Sequence, residues 1–205
     1  MSFPSSFPVG LNVEWMQADS APRNNPYLKN WLLDTGSLTE RVQSLCHQFS
    51  LVVLGQAATA LHQSEQALLS KGRYNTLSTQ PSNQSASEPS IQPSRPFQVR
   101  EVLLCGNTLP WVFARSVIPQ RLVDAELANL GSEPLGKRLF NDARFIRSEF
   151  ELCQLPATAL GFERNQQLWG RRSLFTLGED SMIVAEVFLP DAPVYYSRYD
   201  NGTES

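Results

Sequence analysis

The chain has 205 residues, of which 41% are hydrophobic and 18% are charged, and its formal net charge is −3 at pH 7. This length suits one domain with a sizeable core and is short for two, so we predict a single domain over residues 1–205. The negative charge and the absence of clustered Lys and Arg argue against a nucleic-acid partner. No apolar run is long enough to cross a membrane, and residues 1–19 lack the charged and apolar regions of a signal peptide.

Cysteine and histidine usage limits the chemistry further. Cys46, Cys105 and Cys153 are odd in number and far apart, which is typical of free thiols in a reducing compartment. We therefore expect a cytoplasmic protein without membrane insertion. His47 and His62 form no metal-binding spacing motif, and no glycine-rich phosphate loop links a strand to a helix. Any reaction should proceed without a cofactor.

The N-terminal part of the chain predicts helices. Leu28, Trp31 and Leu32 recur at helical spacing from Tyr27 onward. Ser37-Leu38-Thr39-Glu40 has the form of a capping box and predicts a second helix that begins just after the serine.

A short strand, a third helix and an insertion are predicted next. Residues 51–54 favour the strand, and residues 57–69 favour the helix. Residues 78–96 are rich in Ser, Gln and Pro and bury too little apolar surface to offset the entropy of ordering them. We predict that this segment is a flexible surface insertion within the single domain.

Four apolar runs of strand length form two pairs, each joined by turn residues. The pairs are 99–105 with 111–118 around Gly106-Asn107, and 168–177 with 181–189 around residues 178–180. Successive hairpins imply an antiparallel sheet with helices gathered against it. The predicted fold class is therefore α+β, not doubly wound α/β.

Helical and strand patterns lie between the two predicted hairpins. Residues 122–140 predict helices that are broken at Gly131 and restart at Pro134. Residues 145–152 alternate regularly, which places Arg147 with Glu149 and Glu151 and predicts a strand with one solvent-exposed face.

Two charged side chains lie in strands that are otherwise apolar. Arg100 shares a strand face with Val102 and Leu104, and Glu186 shares one with Val184 and Phe188. Burying an ionised group is costly unless it is paired or bound to a ligand. The two groups could form a structural salt bridge with each other, or one strand could turn this face to solvent. In an apolar pocket, the same two groups would suit a small polar anion.

Two predicted helix starts add hydrogen-bond donors. The amides of Leu38 and Leu135 fall in the first turn of their helices, where no acceptor within the helix exists. Such amides favour anions and complement an arginine in holding a carboxylate. Water or a cap satisfies most helix starts, so these amides alone do not predict a site.

Several short motifs, taken in order, resemble a known family. They are Trp31-Leu32-Leu33, Ser37-Leu38-Thr39, Arg100-Glu101-Val102-Leu103-Leu104-Cys105, Pro134-Leu135-Gly136-Lys137-Arg138-Leu139-Phe140, Leu168-Trp169-Gly170-Arg171-Arg172-Ser173 and Glu186-Val187-Phe188-Leu189-Pro190. Together they are similar to the chorismate lyase family, and the resemblance runs from about Trp31 to Tyr195.

The resemblance implies both an activity and a fold. Members of this family remove pyruvate from chorismate and leave 4-hydroxybenzoate, the first ring precursor of ubiquinone, without a cofactor. Their fold implies a single antiparallel sheet flanked by helices, with the ligand enclosed under helical flaps. We expect a monomer whose partners are the substrate chorismate and the product 4-hydroxybenzoate.

The resemblance also implies site residues. Arg100 matches the family's arginine that binds a ligand carboxylate, and Glu186 matches the glutamate that meets the ring hydroxyl, so these two are the predicted catalytic residues. Leu38 and Leu135 match the positions that supply backbone contacts to the ligand. Whether Glu186 is a general base or only an anchor is left open by the sequence, because an internal hydrogen transfer would need no base.

Other charged residues and other functions remain alternatives. Arg115 shares a predicted strand face with Trp111 and could contact a second carboxylate or project from the strand end. Arg171 and Arg172 are adjacent and should face opposite sides of a strand, so all three arginines stay outside the predicted site. The rival functions are a ligand-sensing module of the same fold and a non-catalytic carrier of 4-hydroxybenzoate.

Overall fold

The fold is organised around one antiparallel β-sheet, which a computed structural model describes within residues 6–77, 97–125 and 134–196. The strands in these ranges are β1 Met16–Gln17, β2 Phe49–Ala57, β3 Phe97–Gly106, β4 Leu109–Pro119, β5 Ile146–Arg147, β6 Glu151–Pro156, β7 Gln167–Leu177 and β8 Asp180–Phe188. They form an eight-stranded sheet of order β1-β6-β7-β8-β4-β3-β2, with β5 also paired to β7. The predicted antiparallel sheet is confirmed.

Helices pack on this sheet, which confirms the α+β class. They are α1 Pro26–Leu33, α2 Leu38–Ser44, α3 Gln63–Leu77, α4 Gln120–Ala125 and α5 Leu135–Asn141, with single 3₁₀ turns at Ala18–Ser20, Ala157–Leu160 and Pro193–Tyr195. None of the helices within the described ranges has the length and apolar character to cross a bilayer. The predicted insertion at 78–96 and the predicted helix break at Gly131 lie outside the described residues. The single domain over 1–205 stays a prediction.

Both predicted hairpins are present, as β3–β4 and β7–β8. The first turn lies one residue later than predicted, at Asn107 and Thr108, which have φ angles of +50° and +71°. Gly106 is the last residue of β3, and a side chain at this position would clash with the ring of Trp111. The second turn begins at Gly178, whose φ of +57° suits a residue without a Cβ.

Side-chain caps fix the starts of the first two helices. Asn25 Oδ1 accepts a hydrogen bond from the Leu28 amide at 2.9 Å. Ser37 Oγ accepts one from the Glu40 amide at 3.3 Å, which confirms the predicted cap of α2. The buried face of α1 carries the residues that the helical spacing predicts, namely Leu28, Trp31 and Leu32.

The third helix begins later than predicted. Ala57 is the last residue of β2 and pairs with Val99 of β3. α3 begins at Gln63, and Glu65 Oε2 accepts a hydrogen bond from the His62 amide at 2.9 Å just before it. The helix predicted over 57–69 was therefore wrong in its first part, because pairing with a distant strand outweighs local helix propensity.

The strand predicted over 145–152 was wrong in its middle. Arg147 pairs with Phe175, whereas Glu151 pairs with Arg172. The two residues of β5 and β6 are four positions apart, but their partners in β7 are only three positions apart. The extra residue is a β-bulge between β5 and β6, and it changes the face to which the side chains after it point. Arg147 therefore lies on the opposite face of the sheet from Glu151, not beside it on a solvent-exposed face.

Different segments of the chain pack on the two faces of the sheet. We call the face that carries Arg100, Val184 and Glu186 the front face, and it packs against α1, α2, α4 and α5. The back face carries Glu101 and Arg115 and packs against α3 and the N-terminal segment. The apolar core therefore lies in two layers, one on each side of the sheet.

Charged groups buried in the back layer pair with one another. Arg115 is 1% exposed and donates from Nε to Glu65 Oε1 and from Nη1 to Glu101 Oε1, both at 2.8 Å. Glu101 is fully buried and also accepts hydrogen bonds from the amides of Val9 and Gly10 at 2.7 and 2.9 Å. This network ties α3 and the N-terminal segment to the sheet. It also keeps Arg115 away from the front face.

We expect Arg115→Ala to lower the free energy of unfolding by about 3–5 kcal/mol, because it leaves two buried carboxylates without their counter-ion. Chemical denaturation followed by tryptophan fluorescence measures this change. The matched control is Arg164→Ala, which removes a half-exposed arginine paired with Asp191 at 2.8 Å. That substitution should cost no more than about 1 kcal/mol. Equal effects of the two substitutions would contradict a stabilising role for the buried network.

Candidate active site

A cavity of about 220 Å³ lies between the front face of the sheet and the helices α2 and α5. Its wall combines apolar side chains with a few charged and hydroxyl groups. The lining includes Ser37 and Leu38 from the start of α2, Gly136, Leu139 and Phe140 from α5, Asp142 just after α5, Arg147 and Phe150 from around the bulge, and Arg171, Ser173, Phe175, Val184 and Glu186 from the sheet.

Glu186 is held in the cavity wall by a buried arginine. Arg171 Nε donates to Glu186 Oε2 at 2.8 Å, and the two side chains are 2% and 16% exposed. The Arg171 Nη1 atom donates to the backbone carbonyls of Trp31 and Asp34 at 2.9 and 2.8 Å. These carbonyls belong to the C-terminal end of α1, where acceptors lack partners within the helix. Arg171 is thus fixed at several atoms and orients the carboxylate.

The partner of Glu186 differs from the one that the strand patterns suggested. The carboxylate pairs with Arg171, so the alternative of a structural salt bridge with Arg100 was wrong. Within the described residues Glu186 Oε1 accepts no hydrogen bond from the protein. That oxygen is available to a ligand hydroxyl.

Arg100 lies on the front face as its strand pattern predicts, but it does not line the cavity. It is 5% exposed, and its Nη1 donates to Gln56 Oε1 at 2.9 Å. Cross-strand pairing runs from Arg100 through Ser116 to Val184, which lines the cavity. Neighbouring strands lie about 4.8 Å apart, so the Arg100 Cα is roughly 10 Å from that of Val184. Burial lowers the pKa of the Arg100 guanidinium, which favours an anionic partner.

The structure brings the two predicted helix starts together at the cavity. Leu38 begins α2 and lines the cavity, and its backbone contact to a ligand stays a prediction. Leu135 begins α5 but is buried in the core, and Gly136 is the α5 residue next to it that lines the cavity. A Cβ added to Gly136 would lie 3.6 Å from Thr39 Oγ1, so the first turns of the two helices are adjacent.

The site predicted from the sequence left out Arg147, Arg171 and Ser173, which line the cavity. Arg147 lines the cavity, and its guanidinium lies 4.6 Å from the centroid of the Phe150 ring. Ser173 is 3% exposed, and its Oγ atom has no hydrogen-bond partner. A signal for Ser173 was present, because strand alternation places it on the same face as Arg171. No signal for Arg147 was available, because the bulge cannot be read from the alternating pattern.

The remaining arginines lie where adjacent positions in a strand should place them. Arg172 points to the back face and pairs with Glu151, with 2.6 Å between Nη2 and Oε2. Arg171 and Arg172 therefore face opposite sides, which confirms that prediction. In the described ranges, no group of three or more His, Cys, Asp or Glu side chains is placed to hold a metal ion.

Comparison with known proteins identifies the family. The model of the family described as chorismate lyase matches residues 9–200. The chain belongs to the chorismate lyase family. It is 40% identical over 195 residues to a probable chorismate pyruvate-lyase of Pseudoalteromonas atlantica, with 93% of both chains covered. The resemblance inferred from the sequence motifs is confirmed.

Other members of the chorismate lyase family match over a similar length. A probable chorismate pyruvate-lyase of Shewanella sp. (strain W3-18-1) is 37% identical, with 91% of this chain and 94% of that protein covered. A protein of the same description from Pseudomonas aeruginosa is 36% identical, with 87% and 92% covered. Among solved structures, the effector domain of PhnF from Mycobacterium smegmatis matches 76% of this chain and 90% of that chain, with 11% identity and a TM-score of 0.47.

Proposed function

We propose that this protein eliminates pyruvate from chorismate and releases 4-hydroxybenzoate. Membership of the chorismate lyase family and the description of its relatives as probable chorismate pyruvate-lyases support the reaction. The observation that carries the proposal is the Glu186 carboxylate, which Arg171 fixes in the wall of a largely apolar cavity while one oxygen stays available. Arg100, buried on the same sheet face, supplies the cation that a carboxylate ligand requires.

The proposed ligand orientation follows from the positions of Glu186 and Arg100 on the front face of the sheet. The C4 hydroxyl of the ring donates to Glu186 Oε1. The carboxylate on C1, at the opposite end of the ring, points toward β3 and the guanidinium of Arg100. The amides of Leu38 and Leu135, in the first turns of two adjacent helices, contribute further donors to ligand oxygens. Both end groups of the ring are then held at once.

The reaction that this orientation favours breaks one C–O bond and one C–H bond. The ether bond between C3 and the enolpyruvyl oxygen breaks, and C4 loses its hydrogen as the ring becomes aromatic. The three-carbon fragment gains that hydrogen, directly or through a base, and leaves as pyruvate. Because aromatisation drives the step, the protein chiefly has to hold a reactive conformer. We accordingly propose that no cofactor takes part.

Of the two roles open to Glu186, we propose that it anchors the hydroxyl. Arg171 is 2% exposed, and Glu186 is its charged partner at 2.8 Å. Transfer of a proton to Glu186 would leave this guanidinium buried without a counter-ion, which is costly. A direct transfer of the C4 hydrogen within the substrate avoids that cost. Glu186 then fixes the hydroxyl and the ring conformation.

The product and the setting of the reaction belong to the same proposal. 4-Hydroxybenzoate keeps both the ring carboxylate and the hydroxyl, so it should bind tightly and its release should limit turnover. We propose that it supplies the ring of ubiquinone and that the protein acts as a monomer in the cytoplasm. The free thiols of Cys46, Cys105 and Cys153 support a reducing compartment.

The direct test incubates the purified protein with chorismate and measures pyruvate and 4-hydroxybenzoate. We expect equal amounts of the two products, with the same rate after treatment with a metal chelator. Tight binding of 4-hydroxybenzoate without any release of pyruvate would contradict the proposal, and it would support a binding module of the same fold.

For Glu186→Gln, we expect a loss of about tenfold in affinity for 4-hydroxybenzoate and chorismate, because the amide is a weaker acceptor than the carboxylate. Fluorescence titration and steady-state kinetics measure the two effects separately. A fall in kcat by about two to four orders of magnitude with unchanged affinity would contradict the anchoring role and indicate proton transfer. Normal values of both would mean that the carboxylate is only structural.

The control for this substitution is Glu151→Gln. It also removes the carboxylate partner of a buried arginine, Arg172, and the two glutamates are similarly exposed at 18% and 16%. The control pair, however, lies on the back face. We expect it to lower stability without changing kcat or product affinity.

A further inference from the structure

One cation of the cavity wall is in contact with no carboxylate of the described residues. Arg171 and Glu186 form an ion pair, and Asp142 of the wall pairs with Arg144 at 2.7 Å. Within the described residues, Arg147 forms neither an ion pair nor a hydrogen bond, and its guanidinium only stacks on Phe150. Among the described residues, the cavity wall therefore has one guanidinium that no carboxylate contacts.

The fold places this cation in the cavity through an irregular backbone feature. The extra residue between β5 and β6 turns Arg147 toward the front face, where it pairs across strands with Phe175. Burial lowers the pKa of the Arg147 guanidinium, and the nearby Arg171 lowers it further while Glu186 and Asp34 raise it. An added anion would offset the cost of burying this charged side chain and would accept its hydrogen bonds.

A buried hydroxyl lies near Arg147. Ser173 lines the cavity and is 3% exposed, and its Oγ atom has no hydrogen-bond partner among the residues that the structure describes. It lies two residues from Phe175 along β7, so it is the diagonal cross-strand neighbour of Arg147. Such neighbours lie about 7–8 Å apart between Cα atoms, within the reach of an arginine side chain. A buried hydroxyl without a partner is uncommon, and this one can donate to an oxygen atom in the cavity.

We propose that Arg147 and Ser173 form a second carboxylate subsite, which binds the carboxylate of the enolpyruvyl group of chorismate. The inference rests on the proposed function and extends it. Arg147 supplies the charge and up to two parallel donors, and the Ser173 hydroxyl supplies one more donor.

The position of the subsite selects this carboxylate over the one on the ring. On the front face Glu186 of β8 lies between Arg147 of β5 and Arg100 of β3. With the ring carboxylate toward Arg100 and the hydroxyl on Glu186, the C3 substituent next to the hydroxyl extends to the β7 and β5 side. The second carboxylate of chorismate then reaches Arg147 and Ser173.

The subsite has a consequence for the reaction. The carboxylate that it binds leaves with pyruvate, so the contact exists with the substrate and is lost with 4-hydroxybenzoate. Holding the enolpyruvyl group also restricts rotation about its ether bonds and favours the conformer in which the C–O bond breaks. Arg147 thus distinguishes the substrate from the product, whereas Arg100 and Glu186 bind both.

The test compares the affinities of two ligands in matched variants. We expect Arg147→Gln to raise the KM for chorismate by about 10- to 100-fold and to leave the Kd of 4-hydroxybenzoate within about twofold. Arg147→Lys should recover part of the loss because it keeps the charge but not the planar fork. Ser173→Ala should raise the KM by a smaller factor, about three- to tenfold, and Arg100→Lys should weaken both ligands.

Arg164→Gln is the control for the loss of one positive charge, because Arg164 pairs with Asp191 on the surface and does not line the cavity. It should change neither affinity. An equal loss of affinity for both ligands in Arg147→Gln, or an unchanged KM for chorismate, would overturn the subsite. If the wild-type protein binds chorismate but releases no pyruvate, the proposed function fails, and the equilibrium affinity of Arg147→Gln for chorismate still decides the subsite.

Discussion

The contact between Arg171 and Glu186 is the interaction on which the site depends. A carboxylate in an apolar sheet face is stable only with a partner, and this partner also donates to the two carbonyls of Trp31 and Asp34 at the end of α1. One guanidinium therefore joins β7, β8 and a helix more than 130 residues earlier in the chain. It satisfies helix-end acceptors and fixes Glu186 with one oxygen available. Without it, the carboxylate would lose its buried counter-ion, and the carbonyls at the end of α1 would lose their donor.

The two faces of the same sheet use buried charge in opposite ways. On the back face Arg115 is enclosed by Glu65 and Glu101, and Arg172 is paired with Glu151, so the charges satisfy one another. On the front face the wall of the cavity keeps an available oxygen, a hydroxyl without a partner and an arginine without an ion pair in the described part of the chain. Polar groups that lack a protein partner are suited to ligand binding, whereas the fully paired network of the back face stabilises the fold.

Local patterns were sufficient for much of the fold and for part of the site. The hairpins, the Ser37 cap and the shared faces of Arg100 and Glu186 each depend on residues close in sequence, and the structure has them. The start of α3 and the role of Arg171 depend on contacts between distant segments, which no local pattern contains. The bulge before β6 is different in kind, because a single extra residue reverses the alternation on which strand predictions rest. That reversal is why Arg147 was assigned to the wrong face.

A crystal structure of the protein with 4-hydroxybenzoate bound tests the proposed orientation most directly. We expect the ligand hydroxyl within hydrogen-bond distance of Glu186 Oε1 and the ligand carboxylate directed toward Arg100, with no ligand atom on Arg147. A carboxylate bound to Arg147, with the hydroxyl away from Glu186, would contradict the proposed orientation and the subsite built on it.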